Sequence, residues 1–257
     1  MKKWTKITLI ISLCFIGAGI AVSFTGYTMN GSSADNPEEL RYKKVGKEIN
    51  EDFTKINISV VNDSIEFLPS ESDQCYIECY DSKKAAHDIS VSADMLSISS
   101  KDNRQWYEYV FSSFQNHKIT VYLPVREYEN IHIETVNGDI SSDDSLTLEN
   151  VNVKTTNGSI KQTAKLGGEI HAETVNGNID INNIESAGYV NLETVNGNIN
   201  VSGKNADELT AETVNGNITA ELTVKGLAQV TNVNGTIDTR ALKADKIDKY
   251  SENGSVY

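Results

Sequence analysis

The stretch Glu-Thr-Val-Asn-Gly-Asn-Ile at residues 193–199 is the most informative in the chain, because the same seven residues also occupy 173–179 and 212–218. Its Asn-Gly pair is repeated more widely and occurs seven times in the C-terminal half of the chain, with the asparagine at Asn137, Asn157, Asn176, Asn196, Asn215, Asn234 and Asn253. The successive spacings are 20, 19, 20, 19, 19 and 19 residues. A fixed period of about 20 residues is typical of proteins built from stacked structural repeats. We therefore predict that this half of the chain forms a coil with 19–20-residue rungs.

Within each repeat, apolar side chains alternate with polar ones. The third position after the asparagine is always β-branched and aliphatic: Ile140, Ile160, Ile179, Ile199, Ile218, Ile237 and Val256. The positions four and six before the asparagine are mostly apolar, whereas the position between them is polar in every repeat. A period of two with this β-branched content is typical of a strand that buries one face. Each rung therefore contributes strands with an inner apolar face and an outer polar face.

Two arrangements could join these strands. Asn-Gly tolerates positive φ angles and often closes a two-residue hairpin, so seven independent hairpins are the alternative to a solenoid. We favour the solenoid, because a hairpin meander needs an inverted pattern in alternate strands, whereas the same residue types return here at every period. In a solenoid the seven asparagines form a structural ladder at the strand spacing of about 4.8 Å. A second ladder is predicted for Thr135, Thr155, Thr174, Thr194 and Thr213.

The region before the regular rungs has the composition of an irregular β-layer. Residues 52–130 contain short alternating runs, and residues 131–257 contain the Asn-Gly rungs. The stretch 58–65 overlays 133–140 without gaps, with Asn62-Asp63 in place of Asn-Gly, so we interpret it as a degenerate rung. We predict that 52–130 forms a β-cap over the open N-terminal edge of the solenoid. The β-cap and the Asn-Gly rungs together form one all-β domain. At its C-terminal end, Lys249 takes a position that is apolar in the other repeats, which indicates a polar closing rung.

The N-terminus predicts the cellular location. Lys2, Lys3 and Lys6 precede an apolar stretch of 18 residues, 7–24, which is long enough to cross a bilayer. With the positive charges on the short side, the N-terminus lies in the cytoplasm and the β-domain outside it. We predict a single-pass transmembrane helix within residues 1–28 and a polar tether over 29–51, with a helical turn near 38–45. A cleaved signal peptide is the alternative.

Charge and cysteine content narrow the function classes. The net charge of −13 disfavours binding to nucleic acid, which depends on clustered Lys and Arg. Of the three cysteines, one lies in the predicted membrane helix. Cys75 and Cys79 lie four residues apart in a predicted strand, so their Cα atoms are about 13 Å apart and too distant for a disulfide. We favour two free thiols, and a disulfide would require a turn between them.

The position three before each asparagine suggests a cation site. Consecutive rungs place Glu173, Glu193 and Glu212 in one row at about 4.8 Å. Such a row could bind calcium through its oxygen atoms, because the like charges repel one another. We favour the alternative of a solvated acidic stripe, because calcium-binding β-rolls have a denser Gly and Asp signature. No cofactor is therefore expected, with calcium as the alternative.

No motif predicts catalysis. The aspartates Asp139, Asp143 and Asp144 cluster after the first Asn-Gly, where a solvated turn is the favoured interpretation, and no nucleophile or phosphate-loop motif occurs. The histidines are predicted to lie at the surface and to bind no metal: His87, His117, His132 and His171. We therefore predict that the protein is not an enzyme.

A cluster of aromatic residues lies in the predicted cap. Trp106, Tyr107 and Tyr109 lie within a few residues of one another, and the two tyrosines would share one face of a strand. We favour packing of these rings between the cap and the first rung. The alternative is an exposed patch that binds a glycan or a protein partner.

Three stretches resemble a known family: Ile-Thr-Val-Tyr-Leu-Pro at 119–124, Tyr-Glu-Asn-Ile at 128–131, and Ile-Glu-Thr-Val-Asn-Gly-Asp-Ile at 133–140. Followed by the repeated Thr-Val-Asn-Gly-Asn-Ile, they are similar to the LiaG-like putative adhesin family of bacterial envelope proteins. The resemblance covers about residues 50–257. It implies a β-solenoid outside the cytoplasmic membrane, often in Gram-positive bacteria and linked to cell-envelope stress systems, and it supplies no catalytic residues.

These observations lead to three functional hypotheses. The favoured one is a membrane-anchored, non-enzymatic interaction or adhesion module that binds a cell-envelope protein or glycan. The first alternative is a regulatory accessory protein that contacts membrane sensor proteins of an envelope-stress system. The second alternative is an envelope scaffold that assembles with itself through the ends of the solenoid.

Overall fold

The computed structural model of the protein describes residues 41–103 and 117–257, and every regular element in these ranges is a β-strand. The strands are β1 (Lys43–Ile49), β2 (Lys55–Ser59), β3 (Asp63–Pro69), β4 (Cys75–Asp81), β5 (Ala85–Ser92), β6 (Met95–Asp102), β7 (His117–Leu123), β8 (Glu127–Glu134), β9 (Ile140–Ser142), β10 (Thr147–Lys154), β11 (Ile160–Gln162), β12 (Lys165–Leu166), β13 (Ile170–Asn176), β14 (Ile179–Asn196), β15 (Ile199–Asn215), β16 (Ile218–Asn234), β17 (Ile237–Asp238) and β18 (Lys243–Asn253). The fold is all-β, as the sequence predicts.

The C-terminal half is a β-solenoid of about seven turns, so this prediction is confirmed. Each turn pairs in parallel with the turns before and after it. Three long strands, β14, β15 and β16, each run from one Asn-Gly corner to the next. The register places equivalent residues side by side, so that Ile179 pairs with Ile160 on one side and with Ile199 on the other.

The core is a stack of the apolar columns that the alternation predicts. The isoleucines three residues after each ladder asparagine are fully buried from Ile140 to Ile237. Burying one such side chain contributes roughly 1.5–3 kcal/mol relative to leaving it in water. The column ends at the last turn, where Val256 is exposed and forms an isolated parallel bridge with Ile237. Here β18 is mostly exposed and has Lys243, Lys246 and Lys249, charges that discourage edge pairing.

The first turn of the stack is formed by β2 and β3, and the overlay of 58–65 on 133–140 is confirmed. Ile58 pairs in parallel with Ile133, and Ile65 pairs in parallel with Ile140. However, the chain does not pass directly from this turn to the next. Strand β6 pairs in parallel with the edge of β2 that faces away from β8, and β7 pairs in parallel with the edge of β3 that faces away from β9. After β2 and β3, the chain therefore forms an outer layer, and it then returns across this turn to reach β8.

Antiparallel strands complete this N-terminal end. Strand β5 pairs with β6 through a tight turn at Ala93 and Asp94, both with positive φ, as a two-residue hairpin requires. Strand β4 pairs with β7, and β1 pairs with the other edge of β4. Strand β1 is exposed except at Ile49 and contains three lysines, so it resembles β18 in its edge chemistry.

The N-terminal region differs in part from the sequence predictions. Residues 43–49 were expected to be part of a polar tether, but they form β1, because pairing with β4 stabilises a strand that lacks its own hydrophobic alternation. The rest of the predicted tether and the predicted membrane helix lie outside the described residues. In 41–103 and 117–257 no helix is long and apolar enough to cross a membrane.

Candidate functional site

The most regular surface feature is a ladder of asparagine side chains along the corners of the solenoid. Each Nδ2 donates a hydrogen bond to Oδ1 of the asparagine one turn earlier, over 2.7–3.1 Å. The ladder has an eighth member, because Asn137 donates to Asn62 over 2.7 Å. Most of these side chains are exposed, so the ladder presents a continuous row of amides to solvent.

The glycine that follows each asparagine is required by close stacking. A Cβ at Gly197 would lie 1.9 Å from the carbonyl oxygen of Gly177, and the other six corners are equally tight. The sequence interpretation attributed Asn-Gly to its tolerance of positive φ. Among these corner glycines, however, only Gly235 has a φ in the left-handed range, at 134°. The pair recurs mainly because no side chain fits between the stacked corners.

The second ladder, of threonines, lies on the buried side of the same corners. Each hydroxyl donates to a backbone carbonyl of the previous turn and not to another threonine, as in Thr194 to Gly177 over 3.0 Å. The other members make the same bond over 2.9–3.1 Å: Thr135, Thr155, Thr174 and Thr213. The last two turns use Asn232 and Ser251 in the same way. This bond satisfies a carbonyl group that the corner would otherwise leave without a donor.

The predicted acidic row is present but is partly neutralised. Glu173, Glu193 and Glu212 are adjacent in register. The carboxylate of Glu173 lies 3.3 Å from Lys154 Nζ, and that of Glu193 accepts a hydrogen bond from Asn191 over 2.8 Å. This arrangement agrees with the favoured interpretation of an acidic surface stripe, and calcium binding there stays the alternative prediction.

The aspartates near the first Asn-Gly corner are bonded to backbone groups. Asp139 accepts a hydrogen bond from the backbone of Ser159 over 2.7 Å, and Asp143 accepts one from the backbone of Ser145 over 3.0 Å. Asp143 thus acts in a turn, as the favoured interpretation expects, whereas Asp139 links its rung to the next one. The aromatic residues Trp106, Tyr107 and Tyr109 lie outside the described residues.

A group of ionisable side chains that the sequence did not indicate lies in the N-terminal cap. Cys79 and Asp81 are two residues apart on the inward face of β4, and His87 is on the inward face of β5. The turn between these strands is closed by Ser82, whose backbone N–H and hydroxyl both bond to the carbonyl oxygen of Ala85. One ligand-type atom from each of the three side chains lies within 4.8 Å of the others, which no other such trio of described residues does.

One carboxylate oxygen is the centre of this group. Asp81 Oδ1 lies 2.7 Å from His87 Nδ1, 3.2 Å from the backbone nitrogen of His87 and 3.7 Å from the sulfur of Cys79. The other ring nitrogen, Nε2, lies 3.4 Å from a carboxylate oxygen of Asp63. Burial opposes the charged form of the ring, but its bonds to Asp63, Cys79 and Asp81 outweigh burial and raise the pKa of His87 to about 10.

Asp63 can reach His87 because the first corner differs from all later ones. Asp63 occupies the position that glycine takes in every Asn-Gly pair, and its side chain is largely buried. At the later corners a side chain here would meet the carbonyl oxygen of the previous turn. The departure from the repeat thus places a carboxylate against the cap.

Two expectations about these residue types have opposite outcomes. The expectation that His87 lies at the surface is wrong, because its side chain is only 6% exposed. The alternation of β4 and β5 contains the signal that was missed, since it places His87 on the same face as the buried Ile89. The expectation for the thiols is confirmed: Cys75 and Cys79 are both free and buried, and burial raises the pKa of Cys75 to about 12.

Comparison with known proteins agrees with this architecture. Among solved structures, a "putative adhesin" from Bacteroides fragilis NCTC 9343 superimposes with a TM-score of 0.55 at 19% identity, covering 83% of this chain and 96% of the other. Two further chains with that description have lower TM-scores. The one from Parabacteroides distasonis ATCC 8503 scores 0.44 at 16% identity, covering 83% and 96%. The one from Parabacteroides merdae ATCC 43184 scores 0.42 at 14% identity, covering 84% and 96%.

Sequence comparisons are more specific about the family. A search of curated protein sequences gives no match. The model of the Toastrack DUF4097 family matches residues 53–257, which is the solenoid together with nearly all of its cap. This match covers far more than half of the chain. The protein therefore belongs to the Toastrack DUF4097 family.

Proposed function

We propose that the protein is a membrane-anchored, non-enzymatic adhesion or interaction module that presents the outer face of its solenoid to a protein or glycan of the cell envelope. The proposal has no catalytic step and needs no cofactor. It follows the LiaG-like resemblance in placing the β-domain outside the cytoplasmic membrane of a Gram-positive bacterium. The 18-residue apolar stretch after three lysines supports this location.

The observation that carries the proposal is the regular outer surface. The ladder asparagines repeat an identical amide group at every turn, at the strand spacing of about 4.8 Å. The outward positions of β13, β14 and β15 repeat a carboxylate beside it, at Glu173, Glu193 and Glu212. A rigid surface with identical polar groups at a fixed spacing can bind an extended or repetitive partner at many points, so weak contacts add up.

The fold comparison is compatible with this function. The Bacteroides fragilis protein that shares the fold is described as a "putative adhesin". At 19% identity the likeness concerns the fold, and the shared function is part of our proposal.

The ends of the solenoid are less suited to binding than its side. The edge strands β1 and β18 are largely exposed and contain charged side chains, which discourage strand pairing between neighbouring molecules. We therefore place the binding surface on the side of the solenoid.

The test is crosslinking and mass spectrometry of the full chain in cells and of a purified chain that begins at Arg41, which lacks the predicted anchor but keeps β1 and is added to the outside of intact cells. Crosslinks from both forms to wall polymer or to surface proteins are the expected result. Crosslinks to membrane sensor proteins from the anchored form alone would overturn the proposal and make the protein a regulator.

A charge-matched pair of variants locates the surface. The first replaces Glu173, Glu193 and Glu212 by Gln, and the second replaces Asp180 by Asn and both Glu185 and Glu221 by Gln. Both remove three negative charges, but the second set lies in the first halves of β14 and β16, whereas the glutamates of the first set lie three residues before a ladder asparagine. Loss of crosslinks in the first variant only is expected, and equal loss in both would contradict this placement. Calcium titration of the first variant tests the calcium prediction at the same time.

A further inference from the structure

We propose that Cys79, Asp81 and His87 bind one divalent transition-metal ion of the zinc type, and that Asp63 positions the His87 ring from its opposite edge. The inference concerns the N-terminal cap and does not depend on the proposed adhesion function.

The donor set fits zinc. Zinc in proteins is bound by cysteine sulfur, histidine nitrogen and carboxylate oxygen, at about 2.3, 2.0 and 2.0 Å respectively. Tetrahedral angles then require about 3.3 Å between oxygen and nitrogen and about 3.5 Å between oxygen and sulfur. The observed separations are 2.7 Å from Asp81 Oδ1 to His87 Nδ1 and 3.7 Å from Asp81 Oδ1 to Cys79 Sγ. An ion would therefore require the oxygen and nitrogen to separate by about 0.6 Å and the oxygen and sulfur to approach by about 0.2 Å, and it would displace the protons of His87 Nδ1 and Cys79 Sγ to water.

The surroundings of His87 provide a second, independent argument. A histidine that binds a metal through one ring nitrogen usually donates the N–H of the other to a carboxylate, which fixes the orientation of the ring. His87 has this arrangement, with Nδ1 2.7 Å from Asp81 Oδ1 and with Nε2 3.4 Å from Asp63. Asp63 is on the far side of the ring, so it supports the ligand without being one.

The site is largely buried, and only one of its three ligands is partly exposed to solvent. The side chains of Cys79 and His87 are almost inaccessible, whereas the Asp81 side chain is 22% exposed. An ion would therefore enter past Asp81 and lose water as it reaches the sulfur and the nitrogen. Three protein ligands leave the fourth tetrahedral position to water.

A bound ion would connect the cap to the solenoid. Its ligands come from β4 and β5, and the supporting carboxylate comes from the first solenoid corner at the start of β3. We expect metal binding to raise the melting temperature of the protein, because a ligand that binds only the folded state stabilises that state.

The experiment is cobalt titration of the chelator-treated full chain, followed by absorption spectroscopy. Cobalt in a tetrahedral site with a thiolate ligand gives intense visible d–d bands and a sulfur-to-metal charge-transfer band in the near ultraviolet. We expect both signals to saturate at one equivalent, to disappear when zinc is added, and to be accompanied by a higher melting temperature. Cobalt on an acidic surface would give weak bands and no charge-transfer band.

Two matched pairs of variants assign the ligands. Cys79→Ser and Cys75→Ser both remove a buried thiol from the inward face of β4, and only the first should abolish the charge-transfer band. Similarly, His87→Gln should abolish tight binding, whereas His171→Gln should leave it unchanged. Asp63→Asn should keep the spectrum but weaken affinity by roughly 10–100-fold, as supporting carboxylates do.

The wild-type protein alone can overturn the inference. If it shows neither a charge-transfer band with cobalt nor a rise in melting temperature with zinc, the group is only an ion pair between His87 and its two aspartates. Persistence of the band in folded Cys79→Ser protein would equally overturn it. Circular dichroism of every variant establishes that it is folded.

Discussion

Replacing Gly197 by Ala should strongly destabilise the solenoid. The added Cβ would lie 1.9 Å from the carbonyl oxygen of Gly177, whereas normal contacts of carbon lie at about 3.5 Å. The two turns would therefore have to separate by more than about 1 Å at this corner. This movement breaks two hydrogen bonds that cross the same gap, Asn196 to Asn176 at 2.9 Å and Thr194 to Gly177 at 3.0 Å.

The magnitude follows from these bonds. Each contributes about 1 kcal/mol to the free energy of unfolding, and the backbone distortion adds about 1–2 kcal/mol more. We expect Gly197→Ala to lower the free energy of unfolding by about 3–4 kcal/mol. The measurement is urea denaturation followed by far-ultraviolet circular dichroism.

The matched control lies in the same turn. A Cβ at Gly188 would meet its nearest atom, the carbonyl oxygen of Gly168, at 4.0 Å, which is an ordinary contact. Gly188→Ala should therefore leave stability unchanged or raise it by up to about 1 kcal/mol. Equal midpoints for the two variants would refute the explanation that stacked corners exclude a side chain.

Three further predictions concern the ladders and the N-terminal edge. Asn196→Ala should lower the free energy of unfolding about twice as much as Asn253→Ala. The inner residue makes two ladder bonds of about 1 kcal/mol each, whereas the terminal one makes a single bond. Equal losses in urea denaturation would contradict this. Thr194→Val should cost about 1–2 kcal/mol, because the shape is kept but the buried Gly177 carbonyl loses its donor; a neutral result by the same assay would show that this bond contributes nothing. Deleting the chain through β1 should lower the free energy of unfolding by roughly 1.5–3 kcal/mol, from the loss of the buried Ile49 alone. It should also promote association through the exposed edge of β4, detected by light scattering. A monomeric product of unchanged stability would refute a capping role for β1.

Much of the solenoid could be predicted because its interactions repeat. A residue in one turn contacts its equivalent in the next, so a single period reveals strands, inner columns and corner ladders together. Even the degenerate turn at 58–65 was recognisable, since it keeps Ile58, Asn62 and Ile65 in the correct places. The repeat does not reveal why glycine follows each asparagine. Glycine is favoured both by a positive φ angle and by close stacking of the backbone on the previous turn, so the sequence cannot separate the two reasons.

The cap depends on tertiary structure. The pairing of β1 with β4 and the placement of β6 and β7 beyond β2 and β3 join segments with no common period, and no pattern within either partner specifies the other. The same applies to the candidate metal site, where Asp63 lies 24 residues before His87 in the chain and belongs to another strand. The stacked turns can be predicted from the amino-acid sequence, because their contacts recur at one fixed spacing. The cap and its cluster emerge only in the folded chain, because their contacts depend on how antiparallel strands close one end of the stack.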